Sequence, residues 1–143
     1  MESKNNITTK KKLTQKQKKK TEEKKFEELI REFLDENGIY HFKFWGGNLK
    51  TSSGNYIKTK TGVPDLICNI NGIFVGLEIK QKNGHPSEEQ IKNLCEINKT
   101  GGLGFLVYPK DFKLLQICIK KLLEDKTQIN MIRTLYLQNS NNF

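Results

Sequence analysis

The feature that most constrains this chain is a pair of apolar runs, residues 62–70 and 73–80, joined by the dipeptide Asn71-Gly72. Asn-Gly between hydrophobic runs is a strong β-hairpin signal, because both residues tolerate a positive φ. A two-residue turn also fixes the register. This register places Asp65 directly across from Glu78, with Cβ atoms roughly 5 Å apart on one face.

Lys80 comes two residues after Glu78 and therefore shares its face, whereas Val75, Leu77 and Ile79 point the other way. Like charges placed opposite each other destabilise a hairpin. A divalent cation between the carboxylates would relieve that cost, and the neighbouring lysine suits an anionic substrate. The alternative is a surface hairpin that carries ordinary solvated charges, which is the usual state of charged residues.

The charge of the chain is concentrated at its start. The formal net charge is +9 over 143 residues, which fits one domain and favours a polyanionic partner. Residues 1–25 hold ten Lys and three Glu, a net of +7. Residues 1–20 are expected to form a disordered basic arm or a fraying helical extension. Such an arm either binds phosphates in a salt-dependent way or only solubilises the protein.

The remaining composition predicts a cytoplasmic protein with no membrane partner. No run approaches the roughly 20 apolar residues of a membrane span, and the start of the chain lacks the apolar core of a signal peptide. Cys68, Cys95 and Cys118 lie in apolar runs without a CxxC pattern. They are expected to be buried reduced thiols rather than zinc ligands or disulfides.

An amphipathic helix is predicted over about residues 21–37. Gly38 is a natural stop for this helix. The apolar residues that recur at helical spacing are Phe26, Leu29, Ile30, Phe33 and Leu34. Glu27 lies at the border of the buried face, whereas Glu28 lies on the solvent face. Glu27 is therefore the helix acid best placed to reach the charged edge of the hairpin, the alternative being an ordinary exposed glutamate.

The segment between this helix and the hairpin is predicted to contain one strand and one loop. Residues 39–45 are β-branched and aromatic, as is typical of a strand, and Lys43 could point toward the same site as Lys80. Residues 46–61 are Gly-rich, polar and basic, which favours a phosphate-contacting loop. The lysines expected to contact nucleic acid are Lys43, Lys50, Lys58, Lys60 and Lys82.

A second helix is predicted to begin after Ser87, because Ser87 and Gln90 form a capping-box pattern. Gln90 either serves only as the cap or points its amide back toward Lys80. Residues 103–108 predict a buried strand and residues 111–125 another apolar-faced helix. The segment after Thr127 is moderately apolar and could pack on the domain or on a second copy. The order of elements predicts an α/β fold with a mixed sheet flanked by helices.

Three motifs together resemble the VRR-NUC domain of the PD-(D/E)xK nuclease superfamily. They are Gly62-Val63-Pro64-Asp65, Glu78-Ile79-Lys80 and the Ser87-x-x-Gln90 helix start. The resemblance runs from about residue 22 to residue 108 and implies a restriction endonuclease-like core. It divides the chain into an arm (1–20), a nuclease domain (21–126) and a C-terminal extension (127–143).

The resemblance also implies roles for individual residues. Asp65 and Glu78, with the main-chain carbonyl of Ile79, would bind Mg²⁺ or Mn²⁺, for which an oxygen-only ligand set is suited. Lys80 would orient or polarise the attacking water, or stabilise charge on the phosphorane. Gln90 would support the site, and a first-helix acid would complete it. Glu27 is selected for this role from the cluster Glu22, Glu23, Glu27 and Glu28, whose other members stay as alternatives.

These observations predict a metal-dependent DNA endonuclease, because a bound Mg²⁺ activates water and neutralises charge on a phosphodiester. The resemblance implies branched substrates such as Holliday junctions, a homodimer, and a role in DNA repair or recombination. Two alternatives remain. One is a nicking or restriction-like nuclease, and the other is a nucleic-acid-binding module without catalysis.

Overall fold

A mixed four-stranded sheet with helices on both faces forms the body of the protein. The computed structural model describes residues 13–140, without the side chains of residues 19 and 20. In chain order the elements are α1 (Gln15–Glu36), β1 (Tyr40–Lys43), β2 (Asn48–Lys50), β3 (Tyr56–Lys58), β4 (Leu66–Ile70), β5 (Ile73–Ile79), α2 (Glu88–Lys99), β6 (Leu103–Val107), α3 (Phe112–Glu124) and α4 (Ile129–Ser140).

The hairpin predicted around Asn71-Gly72 is formed by β4 and β5. Asn71 and Gly72 have φ angles of 53° and 82°, the positive values that a two-residue hairpin turn requires. The antiparallel pairing runs from Ile70 opposite Ile73 to Leu66 opposite Leu77. The predicted register is therefore confirmed over β4.

The sheet has the strand order β1-β4-β5-β6. Strand β4 is antiparallel to β1 on one side and to β5 on the other, whereas β6 runs parallel to β5. A parallel neighbour needs a crossover, and α2 supplies it. Strand β6 is buried at every position, as predicted for a strand covered on both faces. The expected mixed α/β architecture is confirmed.

The main hydrophobic core lies between one face of the sheet and the helices α1, α3 and α4. The last helix belongs to this core, because Tyr136 is fully buried, its ring lies 4.4 Å from that of Phe105, and its hydroxyl donates to the Leu106 carbonyl oxygen at 2.7 Å. The segment after Thr127 therefore packs on its own domain, one of the two predicted arrangements. It is continuous with the core rather than a separate extension.

Helix α2 covers the other face of the sheet and approaches it closely over glycines. A Cβ added at Gly76 would lie 3.0 Å from Ile97, and one at Gly104 would lie 2.7 Å from the Leu94 carbonyl oxygen. Such distances are too short for a real side chain. The absence of a Cβ at these two glycines therefore sets how close α2 lies to the sheet.

Helix α1 begins six residues earlier than predicted. Thr14 and Gln17 form a capping box: the Thr14 N–H donates to Gln17 Oε1 at 2.9 Å, and the Gln17 N–H donates to Thr14 Oγ1 at 3.3 Å. Residues 15–20 are therefore helical, which is the second of the two forms expected for this segment. The arm expected at residues 1–12 lies outside the described residues.

The Gly-rich segment expected to be a loop contains a small antiparallel hairpin, β2 paired with β3. Its turn is closed by Thr51, whose Oγ1 accepts from the Asn55 N–H at 3.2 Å. The strands are short and wholly exposed, so they lack the alternating apolar pattern by which strands are recognised.

The other expectations about the fold concern cysteines and membrane spans. All three cysteines are free; Cys68 and Cys118 are buried, whereas Cys95 is half-buried rather than buried as expected. Burial raises the pKa of the Cys68 thiol to about 12.

Within residues 13–140, no helix has the length and apolarity needed to cross a membrane.

Candidate active site

Asp65 stands immediately before β4 and is held by main-chain contacts on both sides. Its carbonyl oxygen accepts from the Phe44 N–H at 3.1 Å, and its side-chain Oδ2 accepts from the Ile79 N–H at 2.8 Å. Pro64 packs toward Gly76, where an added Cβ would lie 2.8 Å from the proline Cγ. The residues around Asp65 thus fix its carboxylate against the end of β5.

Glu78 is the most unusual side chain of the site, because it is a carboxylate only 1% exposed. Glutamates are almost never fully buried unless they are paired. Here Oε1 accepts from Gln90 Nε2 at 2.6 Å and lies 3.1 Å from Lys80 Nζ. The burial of Glu78 is therefore supported by one amide and one ammonium group.

Gln90 serves both purposes that the sequence left as alternatives. Its Oε1 accepts from the Ser87 N–H at 2.8 Å, while Ser87 Oγ accepts from the Gln90 N–H at 3.2 Å, which completes the capping box of α2. Its Nε2 donates to Glu78. A single amide therefore fixes the start of the helix and holds the buried carboxylate.

Lys80 follows the last residue of β5 and brings its charge to both carboxylates. Its backbone N–H donates to the Val107 carbonyl oxygen at 3.0 Å, which extends the parallel pairing of β5 with β6 by one hydrogen bond. The side chain is 14% exposed. Its positive charge opposes the rise in the pKa of both Asp65 and Glu78.

Burial raises the pKa of both carboxyl groups. The pKa of Glu78 rises to about 7 because of burial and, next, the negative charge of Asp65, and Lys80 only partly offsets this. Burial likewise raises the pKa of Asp65, against the effect of the Ile79 N–H. The two carboxylates therefore repel each other as the hairpin register predicted, and near neutral pH Glu78 retains a proton in part of the molecules.

The predicted helix acid, Glu27, is buried and faces inward, but its charge already has a partner. Lys43 Nζ lies 2.7 Å from Glu27 Oε2, and the guanidinium of Arg31 lies 3.9 Å from Oε1. Glu27 acts on the site at longer range, since its charge raises the pKa of Asp65.

Glu23, one of the alternatives to Glu27 in the acidic cluster of α1, is a second helix acid at the site. Its pKa is raised by burial, whereas Lys80 and a hydrogen bond with the Gln81 backbone lower it. Its charge also raises the pKa of Glu78. Glu23 lies one helical turn before Glu27 on the same stripe, and this i, i+4 spacing brings both acids to the same side of the helix.

The oxygen atoms of this site fit a hard divalent cation. Among the described residues, no cluster of three or more His, Cys, Asp and Glu side chains is placed to hold a metal. The candidate set is instead two carboxylates, Asp65 and Glu78, with the main-chain carbonyl of Ile79. Mg²⁺ is commonly bound through one or two carboxylates and keeps several waters. The mutual repulsion of the two carboxylates would be relieved by such an ion, so the donor set fits Mg²⁺ or Mn²⁺.

The lysines predicted to contact nucleic acid do not form one group. Lys43 is committed to Glu27 and lies 4.8 Å from the centre of the Trp45 ring. Lys60 lies 3.8 Å from Glu96 in an exposed pair. Lys50 and Lys58 are exposed on β2 and β3, and Lys82 is exposed just beyond Lys80. The charge of Lys43 is therefore paired within the protein, and its contact with nucleic acid stays a prediction.

Comparison of the chain with protein-family models, with curated protein sequences and with solved structures found no match.

Proposed function

We propose that this protein is a metal-dependent DNA endonuclease with a restriction endonuclease-like core of the VRR-NUC type, acting on branched or structured DNA such as Holliday junctions. The observation that carries this proposal is the buried carboxylate Glu78, held by Gln90 and Lys80 beside Asp65. A binding module has no need of two repelling carboxylates in a buried position, since their repulsion weakens the fold.

The architecture supports the same proposal. Leaving aside the small β2–β3 hairpin, the elements follow the order helix, three antiparallel strands, helix, parallel strand. This is the arrangement expected of a PD-(D/E)xK core. The candidate residues lie where β4 begins and β5 ends, with α2 supplying Gln90 from the covering layer.

Each residue of the proposed site has a distinct task. Asp65, Glu78 and the Ile79 carbonyl would hold the cation, which supplies Lewis-acid activation of water and neutralises charge on the phosphate. Gln90 fixes the orientation of Glu78. The ammonium of Lys80 stabilises negative charge that develops on the phosphate, as a preorganised positive group does in a site with little water. Glu23 and Glu27 add negative charge from α1.

The basic character of the chain supports DNA as the substrate. The net charge of +9 favours a polyanion, and exposed Lys50, Lys58 and Lys82 can contact phosphates. Branched DNA and the homodimer are taken from the family resemblance. A symmetric pair of sites would suit a symmetric junction.

The decisive experiment incubates purified protein and Mg²⁺ with labelled linear, nicked, flapped and four-way DNA. We expect cleavage that requires Mg²⁺ or Mn²⁺, is abolished by EDTA and is strongest on the four-way substrate. Preferential nicking of linear duplex would support the nicking or restriction-like alternative instead.

Site variants separate catalysis from binding. Asp65→Ala and Glu78→Ala should abolish cleavage and leave DNA binding in EDTA largely intact. Lys80→Ala should reduce the single-turnover rate by about 10²–10³-fold, which is typical for one electrostatic contact to a transition state. Glu28→Gln, on the exposed face of α1, is the matched control and should cleave normally. Binding without cleavage by the unaltered protein on all substrates would favour the non-catalytic binding module.

A further inference from the structure

A cleft of about 510 Å³ opens beside the proposed active site, between the turn that follows β5 and the residues that follow β6. Its lining includes Lys82, His85, Tyr108, Pro109 and Lys110. Sites for small organic groups have volumes of about 300–1,000 Å³. The cleft is therefore large enough for one nucleotide.

The position of Tyr108 links this cleft to the proposed active site. In the parallel pairing, Ile79 lies opposite Val107, so Lys80 and Tyr108 follow at the ends of neighbouring strands. Burial raises the pKa of the Tyr108 hydroxyl, and the positive charge of Lys80 partly opposes this rise, so the two side chains are close enough to interact. A strand whose phosphate contacts Lys80 would therefore pass the cleft.

The aromatic wall of the cleft is held in place before any ligand binds. The Tyr108 hydroxyl donates to the Gly84 carbonyl oxygen at 2.9 Å. On the main chain, the Tyr108 N–H donates to Asp111 Oδ2 at 3.1 Å. The ring is thus anchored at its tip and through its backbone. A ring fixed in this way loses little conformational entropy when a base stacks on it.

The charges of the cleft complement a phosphate. Of the described residues that line it, none is an Asp or a Glu, whereas Lys82 and Lys110 are exposed lysines. Lys110 Nζ lies 5.7 Å from the centre of the Tyr108 ring and donates to the Ser140 carbonyl oxygen at 3.3 Å. A positive charge therefore stands next to the aromatic ring, the pairing of groups with which proteins bind single-stranded nucleic acid.

We propose that this cleft binds one unpaired nucleotide of the DNA strand next to the phosphate that contacts Lys80, with the base stacked on Tyr108 and the phosphate contacted by Lys82 and Lys110. The choice of DNA as the ligand rests on the proposed function. Tyr108 is then a specificity-determining residue: a base can stack on its ring only when it is unpaired, so the cleft favours DNA whose strands separate near the cut.

The test measures DNA binding in EDTA, so its result does not depend on whether the protein cleaves. The dissociation constant for a single-stranded oligonucleotide and for a fully paired duplex of the same sequence is measured by fluorescence anisotropy. Loss of one base–aromatic stack costs about 1–3 kcal/mol. Tyr108→Ala should therefore weaken single-strand binding by about 5- to 150-fold and leave duplex binding nearly unchanged.

Matched variants keep the result interpretable. Tyr108→Phe retains the ring without the hydroxyl that anchors it, so it should bind the single strand much more tightly than Tyr108→Ala, with at most a small loss relative to the unaltered protein. Tyr40→Ala removes an exposed tyrosine on the far edge strand β1 and should have no effect. Lys82→Ala, at an exposed position, should weaken binding. It should also reduce the slope of DNA affinity against salt concentration by the amount expected for about one phosphate contact. An equal loss for single strand and duplex in Tyr108→Ala, or no loss for either, would overturn the proposal.

A competition experiment distinguishes a DNA strand from a free nucleotide. Because free dAMP lacks the contacts of the neighbouring nucleotides, it should displace the labelled strand only at millimolar concentration. Displacement by micromolar dAMP would identify the cleft as a mononucleotide site and overturn its assignment to a DNA strand.

Discussion

Lys43 Nζ lies 2.7 Å from Glu27 Oε2, which makes an ion pair between the edge strand β1 and the first helix. The two side chains are 27% and 12% exposed, so the pair is mostly shielded from water. The pair neutralises the charge of Glu27, which was predicted to complete the site, and that of Lys43, which was predicted to contact nucleic acid. Burial raises the pKa of Glu23, and the charge of Lys80 and a hydrogen bond with the Gln81 backbone oppose that rise, so Glu23 belongs to the site around Lys80.

The two helix acids should therefore differ in what their loss changes. Glu23→Gln should lower the single-turnover cleavage rate by about 10- to 100-fold, the usual effect of a group that supports a metal site, with little loss of stability. Glu27→Gln should lower the free energy of unfolding by about 1–3 kcal/mol, because it breaks a shielded charge-assisted hydrogen bond. Cleavage rates and urea unfolding curves measure the two effects. Equal stability losses in both variants would contradict this division.

Gly62 should be intolerant of even one added methyl group. Its φ is +72°, and a Cβ there would lie 2.8 Å from the Glu89 backbone and 2.9 Å from Asn93 Nδ2. Gly62→Ala should cost about 1–2 kcal/mol for the left-handed backbone and about 1–3 kcal/mol more for overpacking against α2. Because α2 carries Gln90, cleavage should also fall.

Gly54→Ala is the matched control for this substitution. Gly54 has a φ of +86° and nothing within 4 Å of an added Cβ. Gly54→Ala should therefore lower the free energy of unfolding only by the cost of the left-handed backbone conformation, and it should keep the normal cleavage rate. Thermal unfolding and single-turnover assays of both variants provide the comparison, and similar losses in the two would show that the contact with α2 does not matter.

The buried Glu78 should make the metal-free protein more stable in mild acid. Its pKa is about 7 in the folded protein, against an ordinary glutamate value of 4.5. Between these values the folded state binds a proton that the unfolded state does not, so the free energy of unfolding falls as pH rises toward 8. The change should be on the order of 2 kcal/mol. Urea unfolding in EDTA at pH 5.5 and pH 8 measures it.

Glu78→Gln should remove most of this pH dependence, whereas Glu28→Gln should retain it. Mg²⁺ should stabilise the unaltered protein more at pH 8 than at pH 5.5, because a cation competes with the proton on Glu78 and stabilises only the folded state. An unchanged pH dependence in Glu78→Gln would assign the effect to another group.

The two roles of Gln90 should be separable by substitution. Glu at this position can still accept from the Ser87 N–H, but it cannot donate to Glu78 and adds a like charge beside it. Gln90→Glu should therefore weaken Mg²⁺ binding by about 10- to 100-fold, as loss of a supporting hydrogen bond does in other metal sites. Isothermal titration with Mg²⁺ tests this.

Ser87→Ala is the companion variant, because it removes the cap and leaves the amide contact with Glu78 in place. It should cost about 1 kcal/mol of stability and retain normal Mg²⁺ affinity. A loss of Mg²⁺ affinity in Ser87→Ala as large as that in Gln90→Glu would mean that the helix start, rather than the amide, controls the site.

The basic residues outside the described part of the chain should contribute to DNA affinity. Deletion of residues 1–12 removes four Lys and one Glu. Binding to DNA should weaken and its salt dependence should become shallower, because fewer counterions are released. Cleavage at saturating DNA should change little. An unchanged salt slope, measured by anisotropy between 50 and 200 mM salt, would identify the segment as a solubilising tail.

The local parts of the structure could be predicted from the sequence, and the long-range contacts could not. The Asn71-Gly72 turn fixed the pairing of β4 with β5, and Ser87 with Gln90 marked the start of α2, because each signal acts over a few residues. The Lys43–Glu27 pair and the approach of Tyr108 to Lys80 depend on how α1 docks and on how β6 aligns with β5. No short sequence pattern predicts the docking of α1 or the alignment of β6 with β5.

The β2–β3 hairpin was missed for a different reason. Its residues Leu49, Tyr56 and Ile57 are all more than half exposed, so no buried face imposes an alternating pattern. The start of α1 was missed because lysines dominate residues 16–20, although Thr14 and Gln17 carry the same capping pattern that identified α2.

The close approach of α2 to the sheet has a consequence for how this protein can change in evolution. At Gly62, Gly76, Gly102 and Gly104, an added Cβ would meet α2 or its side chains at 3.0 Å or less. Core leucines and isoleucines can drift to other residues of similar volume, since neighbouring side chains repack around them. Glycine has no smaller replacement, and a larger one would lift α2 and with it the amide that holds Glu78. Descendants of this sequence that keep the carboxylate pair should therefore vary more in their core side chains than at these four glycines.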